Sequence, residues 1–263
     1  MSVAIITGAS SGLGSEYARQ LVTKQKRITE VWLIARRLER LEKLAGELEK
    51  LRPGLKTRAV PLDLLSETDI EAYGHLLSAM KPKVSYLVCA AGFGRIGENA
   101  DIDRKELDRM ILLNDKAAVD ITQLTVPYVE EKGHILEICS IAGFFPLPGL
   151  SVYGASKAFL ISYSRSLRFE LFKRKIMVTA VCPYWVKDTE FIPTAQNETK
   201  NAGAVKHFPL ASKMKSVVAW SLFDAGLGLA VSTPSPVSLG GEFFAKFLPH
   251  GLLISAWEGL RRL

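Results

Sequence analysis

One stretch near the start of the chain decides the fold, Val3-Ala4-Ile5-Ile6-Thr7-Gly8-Ala9-Ser10-Ser11-Gly12-Leu13-Gly14. Its apolar first half has the length and branched residues of a buried strand, and a helical pattern follows through Tyr17 and Leu21. Glycines let the backbone turn tightly and approach a pyrophosphate, while a helix N-terminus offers unpaired N–H groups to the anion. The order of strand, turn and helix therefore predicts a dinucleotide site, although a tight turn without a ligand would use the same glycines. The spacing is G-x-x-x-G-x-G rather than the general G-x-G-x-x-G.

The same alternation of short apolar runs and longer amphipathic stretches continues to the C-terminal part of the chain. One amphipathic stretch has leucines at 38, 41, 44, 48 and 51, which is helical spacing. The alternation predicts an α/β protein with a doubly wound parallel sheet of about seven strands and helices on both faces. The predicted strands are Val3–Thr7, Glu30–Ala35, Thr57–Asp63, Val84–Ala91, His134–Ser140, Ile176–Pro183 and Leu229–Thr233.

The composition of the 263 residues excludes several classes of protein. The chain is 48% hydrophobic and carries 34 Lys+Arg against 27 Asp+Glu, a net charge of +7 with the basic residues scattered, so we expect no nucleic-acid partner. Three cysteines in apolar runs suit a reducing compartment, and no charged and apolar leader is apparent, so a cytoplasmic location is expected. No Cys/His group has zinc spacing, so no metal is expected. The longest uncharged stretch, residues 138–156, contains two prolines and three glycines and is not expected to contact or cross a membrane.

The end of the second strand bears on the choice of nicotinamide cofactor. An NAD site usually has an acid there for the ribose hydroxyls, but this strand ends in Arg36-Arg37. Because a guanidinium presents a planar fork of donors to phosphate oxygens, the pair favours NADP(H) over NAD(H), with Arg36 as the main contact. Alternatively, one or both arginines are solvated residues at the start of the next helix. Asp63, which closes the third strand, is predicted to contact the adenine amino group or to cap the following helix.

A catalytic group is predicted from Tyr153-Gly154-Ala155-Ser156-Lys157. Residues four apart share one face of a helix, and a nearby ammonium is expected to lower the pKa of a tyrosine. Tyr153 would then serve as an acid–base group near neutral pH. Ser140 ends the fifth strand thirteen positions earlier, where side chains emerge at the ligand edge of an open parallel sheet.

Thr7-Gly8-x-x-x-Gly12-x-Gly14, Asn114, Ser140 and Tyr153-x-x-x-Lys157 occur here in an order and spacing that resemble the short-chain dehydrogenase/reductase family. The resemblance covers roughly residues 1–190. It implies a Rossmann-type sheet of seven strands, and with no linker visible we expect residues 1–263 to form a single dehydrogenase domain. Within it we expect a substrate lid at about 184–215 and a hydrophobic C-terminal segment at about 234–263.

The resemblance also implies the role of each residue in the reaction. Tyr153 would exchange a proton with the carbonyl or alcohol oxygen, and Ser140 would hydrogen-bond that oxygen. Lys157 would hold the nicotinamide ribose and lower the tyrosine pKa, and Asn114 would hold a water that links Lys157 to solvent. Hydride would pass between the nicotinamide and the substrate carbon. The implied cofactor contacts are Gly8, Ser10, Ser11, Gly12, Leu13, Gly14, Arg36, Arg37, Asp63, Leu64, Ala90, Ala91, Gly92, Tyr153, Lys157, Pro183, Val186 and Thr189.

Two segments depart from the family pattern. Cys89-Ala90-Ala91-Gly92 stands where the family has Asn-Asn-Ala-Gly, so only backbone contacts remain there. After the sixth strand, Tyr184 replaces the glycine of a Pro-Gly pair and Thr189 falls one position later than usual. Tyr184 and Trp185 would crowd the nicotinamide or form an aromatic wall for a flat substrate.

The apolar character of the predicted substrate walls favours a small lipophilic substrate. The loop 141–150 is apolar, and the lid carries Phe191, Ile192, Val205, Phe208, Leu210 and Met214. The segment 216–263 also resembles hydroxysteroid-dehydrogenase-like members, so a hydroxysteroid or bile acid is the predicted substrate. The predicted substrate contacts are Ser140, Phe144, Tyr153, Tyr184 and Trp185.

Several alternatives stay open at this point. The C-terminal aromatic residues could cover the lid, form a subunit interface or touch a membrane surface, with the first two favoured. Family members usually pair, so a homodimer or homotetramer is expected. Other functions compatible with the fold are reduction of a small carbonyl, sugar or acyl substrate with NAD(P)H, a different reaction such as epimerisation or dehydration, and non-catalytic dinucleotide sensing.

Overall fold

The computed structural model describes residues 2–196, 205 and 210–262. In this part of the chain seven parallel strands form one sheet in the order β3-β2-β1-β4-β5-β6-β7. The order reverses between β1 and β4, which is where open α/β sheets bind ligands. The strands are β1 Ser2–Thr7, β2 Ile28–Ala35, β3 Lys56–Pro61, β4 Val84–Cys89, β5 Val129–Ile138, β6 Met177–Val181 and β7 Val231–Ser232. The predicted doubly wound, Rossmann-type sheet is confirmed.

Helices connect the strands and cover both faces of the sheet. Between α4 and α5 the chain widens into one π-helical turn, residues 112–116. Among the described residues the helices are α1 Gly12–Lys24, α2 Leu38–Leu51, α3 Glu67–Met80, α4 Arg104–Ile111, α5 Ala117–Thr125, α6 Ser151–Glu170, α7 Phe191–Gln196, α8 Met214–Gly226, α9 Pro236–Phe247 and α10 His250–Arg262. In the described part of the chain, none of these helices combines the length and the apolar character that crossing a membrane requires.

Two buried clusters sandwich the sheet, as a parallel sheet covered on both faces requires. In β1, Ala4 and Ile6 pack with the α1, α2 and α8 cluster, whereas Val3 and Ile5 pack with the α3, α5 and α6 cluster. The predicted leucine stripe of α2 is buried at Leu41, Leu44 and Leu48, but Leu38 and Leu51 at its two ends are exposed.

The strands β3, β4, β5 and β6 end two residues before the predicted ends. Asp63, Ala91, Ser140 and Pro183 were each expected to close a strand, and the ladders stop at residues 61, 89, 138 and 181. All four residues lie beyond the ladder and line a cavity at the carboxyl edge of the sheet. β5 also begins five residues earlier than predicted, through an irregular stretch in which Lys132 has φ 63°.

Candidate functional site

A cavity of about 900 Å³ lies at the carboxyl edge of the sheet, where the strand order reverses. This volume falls within the range of small-molecule and cofactor pockets. Nearly all of the predicted site residues line it, from the glycine turn through Ser140, Tyr153 and Lys157 to Trp185 and Thr189. Gly14, Asn114 and Phe144 do not. The structure therefore brings together side chains that are up to 180 residues apart in the sequence.

The glycine turn is shaped by two close backbone approaches. Gly8 has φ +65°, and a Cβ there would lie 2.7 Å from the Ala90 carbonyl oxygen. A Cβ on Gly14 would collide with the Gly8 carbonyl, so Gly14 supports the turn from inside α1 rather than lining the cavity. The Ser11 side chain forms no capping hydrogen bond at the start of α1, which leaves first-turn amides available to an anion. This cradle fits a pyrophosphate.

Cys89-Ala90-Ala91, the segment that differs from the family pattern, is held by the side chain of Thr7. The Thr7 hydroxyl accepts hydrogen bonds from the amides of Ala90 at 3.1 Å and Ala91 at 3.2 Å. These amides fix the tip of β4 against the tip of β1. Ala90 and Ala91 therefore offer the cavity their small side chains and carbonyls rather than free N–H donors.

Beside the glycine turn, Arg37 forms hydrogen bonds with other side chains, whereas within the described part of the chain Arg36 does not. Its guanidinium donates to the hydroxyls of Ser10 and Ser11, both at 3.0 Å, and to Glu190 at 3.2 Å. Arg40 donates to the other Glu190 oxygen at 2.7 Å. The hydrogen bonds from Arg40 and Arg37 lower the pKa of Glu190. Arg36 lines the cavity and is exposed, and it makes no hydrogen bond or ion pair with any residue that the structure describes.

Asp63 lines the cavity and also organises the turn before α3. Its Oδ1 accepts a hydrogen bond from the Leu65 amide at 3.1 Å, and its own amide donates to Asp69 at 2.6 Å. Ser66 caps α3 by accepting from the Asp69 amide at 3.3 Å. Asp69 thus turns toward Asp63 instead of completing a reciprocal capping box with Ser66.

Three of the four predicted catalytic residues, Ser140, Tyr153 and Lys157, line the cavity together. Tyr153 and Lys157 share one face of α6, and the Ser140 side chain acts on the Tyr153 hydroxyl in the direction that lowers the pKa of the phenol. The Ser140 oxygen also accepts from the Ala142 amide at 3.1 Å, which fixes this side chain at the end of β5. Lys157 donates to the Ile138 carbonyl at 2.8 Å, and its Nζ lies 5.8 Å from the centre of the Tyr153 ring.

The expected lowering of the Tyr153 pKa by Lys157 is wrong for this structure. Burial raises the pKa of Tyr153 above its usual value, and the hydrogen bond with Ser140 only partly counteracts it. Lys157 is itself buried, which lowers its pKa, and its ammonium is directed to the Ile138 carbonyl. The protonated phenol is therefore the favoured form of Tyr153 at neutral pH.

Asn114 is fully buried in the π-helical turn and supports the site from behind the cavity wall. Its Oδ1 accepts from the Phe93 amide at 3.0 Å, and its Nδ2 donates to the Phe93 carbonyl at 3.0 Å and to Ser156 at 3.1 Å. Both amide N–H groups are thus used by protein atoms, and only acceptor capacity on Oδ1 remains for a water. The amide links the segment after β4 to the helix that carries Tyr153.

Apolar side chains form the other half of the cavity. Phe145 lines it, whereas the predicted contact Phe144 packs against a separate cluster with Leu160 and Cys182. Neighbouring residues of an irregular loop point in different directions, and composition does not say which one faces the cleft. Leu147 and Leu150 of the predicted apolar loop also line the cavity. Lining residues that the sequence did not single out as site residues include Arg95, Glu106, Arg109, Val237, Phe244, Leu253 and Trp257.

The C-terminal segment contributes directly to this apolar half. Trp257 in α10 donates from Nε1 to the Pro148 carbonyl at 2.9 Å, which ties α10 to the loop after β5. Phe244 of α9 lines the same wall. The segment therefore forms part of the cavity wall, and the three interpretations of it, covering the lid, forming a subunit interface or touching a membrane surface, stay predictions. Phe243 and Phe247 remain exposed on the outer side of α9.

The predicted lid is described only in part, because residues 197–204 and 206–209, including Phe208, lie outside the described residues. Helix α7 covers the catalytic tyrosine, with the ring centres of Phe191 and Tyr153 5.4 Å apart. The Ile96 amide donates to the Ala195 carbonyl at 2.8 Å, and Arg95 donates to Thr194. Leu210 is exposed and does not line the cavity.

The chain resembles known proteins in sequence. A family model described as short chain dehydrogenase matches residues 2–200. The very-long-chain 3-oxoacyl-CoA reductase of Anas platyrhynchos is 35% identical over 190 residues, which is 70% of this chain and 59% of that protein. The 17-beta-hydroxysteroid dehydrogenase type 3 of Homo sapiens is 28% identical over 249 residues, which is 84% of this chain and 77% of that protein. The chain thus spans about three fifths of the length of the duck reductase.

Solved structures resemble the chain over almost its whole length. The short-chain dehydrogenase from Sphingobium yanoikuyae, in complex with NADPH, superimposes with a TM-score of 0.79 at 28% identity. The match covers 99% of this chain and 95% of that one.

Proposed function

The chain belongs to the short-chain dehydrogenase family, and from this we propose that it interconverts a secondary alcohol and a ketone on a lipophilic substrate, with NADP(H) as hydride carrier. The observation that carries the proposal is the position of Ser140, Tyr153 and Lys157. They lie where the glycine cradle and the apolar half of one cavity meet. A hydroxyl–phenol pair at such a junction can hold and protonate a carbonyl oxygen.

The residues around the cavity fit a nicotinamide dinucleotide. The turn from Gly8 to Gly14 would hold the pyrophosphate, and Arg37 with Arg36 would meet a 2′-phosphate. Lys157 would hold ribose hydroxyls, and Pro183 and Val186 line the wall beyond them. When bound, the cofactor supplies or accepts the hydride.

The chain's own residues supply the proton and the orientation of the substrate. Ser140 would donate to the substrate oxygen, and Tyr153 would pass its proton to the same oxygen as negative charge develops there. Burial keeps the phenol protonated, so Tyr153 is in the form that can donate its proton when a ketone is reduced. Phe191 over Tyr153 and the aromatic walls would exclude water from this step.

The substrate that we propose is a hydroxysteroid or bile acid. The apolar walls from Phe145 to Trp257 support it, as does the similarity to a hydroxysteroid dehydrogenase over 84% of the chain. A second candidate is a 3-oxoacyl thioester, favoured by the similarity to the duck reductase. Both substrates place a ketone beside a large apolar body, and they differ in shape.

A substrate screen tests the proposal by following NADPH absorbance with keto-steroids, keto bile acids, 3-oxoacyl thioesters and small polar ketones. We expect turnover of the lipophilic ketones, and we expect Tyr153→Phe to lower it by about 10²- to 10⁴-fold, the usual contribution of a general acid. Turnover confined to small polar ketones would contradict the substrate class. Unchanged activity of Tyr153→Phe would contradict the mechanism.

We also propose that residues 1–263 act as one domain in a cytoplasmic homodimer or homotetramer. Light scattering after gel filtration gives the mass of the assembly, and a monomer at micromolar concentration contradicts the proposal. Phe243 and Phe247 are the exposed apolar residues to replace with Ser if an assembly is found.

A further inference from the structure

A buried carboxyl group, Glu137, lies behind the catalytic site and has no place in the mechanism above. Glu137 is in β5, is fully buried and does not line the cavity. Its Oε1 accepts a hydrogen bond from the Thr122 hydroxyl at 2.7 Å. Its Oε2 is buried without a hydrogen-bond partner of standard geometry among the described residues. An acid in such a position is costly unless it has a charge to meet.

Among the described residues, the cation whose charge acts on the Glu137 carboxyl is Lys157. The Lys157 ammonium donates a hydrogen bond at 2.8 Å to the carbonyl of Ile138, the residue that follows Glu137. Side chains alternate along a strand, and Glu137 points to the face of β5 that is covered by α5 and α6, the helix that carries Lys157. Burial lowers the pKa of Lys157, and the charges that oppose this effect are, in decreasing order, those of Cys139, Asp115 and Glu137. Lys157 in turn acts to lower the pKa of Glu137.

The other ionisable groups around Glu137 do not supply a second cation. Cys89 of β4 lies 3.4 Å from the Thr122 hydroxyl, and burial raises its pKa. Tyr163 of α6 is affected in the same way. Asp115, before α5, has one buried oxygen without a hydrogen-bond partner in the described part of the chain, and it too is attracted to Lys157. The groups that act on Glu137 are thus Cys89, Thr122 and Lys157, Glu137 itself acts on Tyr163, and Cys139 and Asp115 act on Lys157.

We propose that Glu137 is a positioning residue for the reaction, a buried counterion that keeps Lys157 in its ammonium form from behind the cavity wall. The inference rests on the proposed function, because the ammonium matters for holding the ribose and for the proton that Tyr153 transfers. The carbonyl of Ile138 is a neutral partner and cannot balance the charge of a buried ammonium. A glutamine at 137 would satisfy Thr122 equally well, so the hydrogen bond alone does not account for an acid at this position.

The proposal predicts a specific pH effect. Burial raises the pKa of Glu137 to about 7, so its carboxylate is present in the alkaline range where Lys157 would lose its proton. Burial lowers the pKa of Lys157, and removal of the countercharge lowers it further. The alkaline limb of activity therefore moves to lower pH when the charge of residue 137 is removed.

The test compares Glu137→Gln, which keeps the acceptor for Thr122, with the wild type and with two controls. Thr122→Val removes the hydrogen bond but leaves the carboxylate, and Glu137→Asp retains the charge. The readouts are kcat/KM for ketone reduction against pH and, independently of turnover, the pH dependence of NADPH binding by fluorescence. We expect the alkaline limb of both profiles to move down by roughly one pH unit in Glu137→Gln only, the size of shift that a neighbouring charge commonly causes.

Each outcome decides the question. The proposal is overturned if the alkaline limbs of both pH profiles are unchanged in Glu137→Gln, or if they shift equally in Thr122→Val. Glu137 would then be only a hydrogen-bond acceptor that supports the fold. Asp115→Asn removes the charge of the other nearby carboxyl group. If the alkaline limb shifts only in that variant, Asp115 rather than Glu137 is the counterion of Lys157. If Glu137→Gln fails to fold, Glu137→Asn serves in its place. Absence of turnover in the wild type would contradict the proposed function, whereas the NADPH-binding profile would still test the effect on Lys157.

Discussion

At the scale of single residues, the tightest constraint in the site is the backbone at Gly8. This residue combines φ +65° with a Cβ position that overlaps the Ala90 carbonyl and the Ala91 amide. A side chain here is strained by its own conformation and also pushes β4 away from β1. The absence of a Cβ at Gly8 therefore serves two purposes. It allows the turn that would hold the pyrophosphate, and it allows β1 and β4 to pack closely.

We predict that Gly8→Ala destabilises the fold by about 1–3 kcal/mol and abolishes measurable NADPH binding, since left-handed conformations of this kind cost a non-glycine residue that much. Urea unfolding and fluorescence titration measure the two effects. The matched control is Gly46→Ala in α2, where a Cβ meets nothing within 4 Å. It should stabilise the protein by about 0.5–1 kcal/mol, because alanine is the better helix former. Normal binding in Gly8→Ala would contradict the assignment of the cradle.

The sequence predicted most of this site because its residues follow short-range rules. Glycines with a preceding strand and a following helix, and a tyrosine and lysine four apart, are local patterns that the fold preserves. The choice between Arg36 and Arg37 depends on which side chain meets Glu190, which is 153 residues from Arg37. The burial of Tyr153 beneath Phe191 and the unpartnered oxygen of Glu137 also arise only when distant elements pack. At Tyr153 the expected pKa shift differed from the structure. That Arg36 is the main contact of a 2′-phosphate stays a prediction.

At the scale of elements, the segment leading into α7 is attached to the cofactor half through Glu190. This carboxylate accepts from Arg40 at 2.7 Å and from Arg37 at 3.2 Å. A 2′-phosphate would have to compete with Glu190 for Arg37. All three side chains are about half exposed, so the competition involves only a modest free energy.

We predict that Glu190→Gln tightens NADPH binding up to about fivefold and leaves NADH binding unchanged, because an exposed ion pair contributes at most about 1 kcal/mol. Fluorescence titrations with both cofactors measure it, and Glu39→Gln in α2 serves as an exposed acidic control. Arg37→Ala should weaken NADPH binding without affecting NADH. An equal change for the two cofactors would contradict the assignment of a 2′-phosphate site to Arg37.

Helix α10 is the second element whose role can be tested. Its residue Trp257 lines the apolar half of the cavity and donates to the Pro148 carbonyl, 109 residues away. Composition marked the C-terminal segment as hydrophobic but could not say what it covers, because that depends on how α9 and α10 fold back. The structure places it against the loop 141–150, which the sequence had independently identified as an apolar wall.

We predict that Trp257→Ala raises KM for a lipophilic ketone by about tenfold or more and leaves that for a small ketone within twofold, since a large aromatic wall contributes roughly 1.5–3 kcal/mol when buried by a ligand. Steady-state kinetics with both substrates give the comparison. Trp257→Phe keeps most of the wall and removes only the Pro148 hydrogen bond, so its effect should be smaller. Equal losses for both substrates would indicate that Trp257 supports the fold rather than the substrate.

At the scale of the whole molecule, two residues of β5 give the stability opposite dependences on pH. His134 stacks on Tyr86 with ring centres 4.7 Å apart, and burial lowers its pKa from 6.5 to about 4. Burial raises the pKa of Glu137 from 4.5 to about 7. Folding thus favours the neutral form of both residues.

The signs follow from which state binds the proton more tightly. The unfolded chain protonates His134 first, so the stability that this residue contributes is present above pH 6.5 and is lost as the pH falls toward 4. The folded chain holds the proton of Glu137 more tightly, so that contribution is present below pH 4.5 and is lost as the pH rises through 7. Over the shared window the two slopes oppose each other, and Asp115, whose pKa burial raises to about 6, adds to the slope of Glu137.

We predict that replacing Glu137 or His134 alone removes the contribution of that residue to the pH dependence of stability and leaves the other. Glu137→Gln should be more stable than the wild type at pH 8, by up to about 3 kcal/mol at 1.4 kcal/mol per pKa unit, with little difference at pH 4. His134→Phe, which can keep the stacking on Tyr86, should be more stable than the wild type at pH 4 and similar at pH 8. Urea unfolding at both pH values measures all four differences. A Glu137→Gln advantage that is equal at pH 4 and pH 8 would mean that packing, not ionisation, sets the cost, because a titrating group must change its contribution across its own pKa.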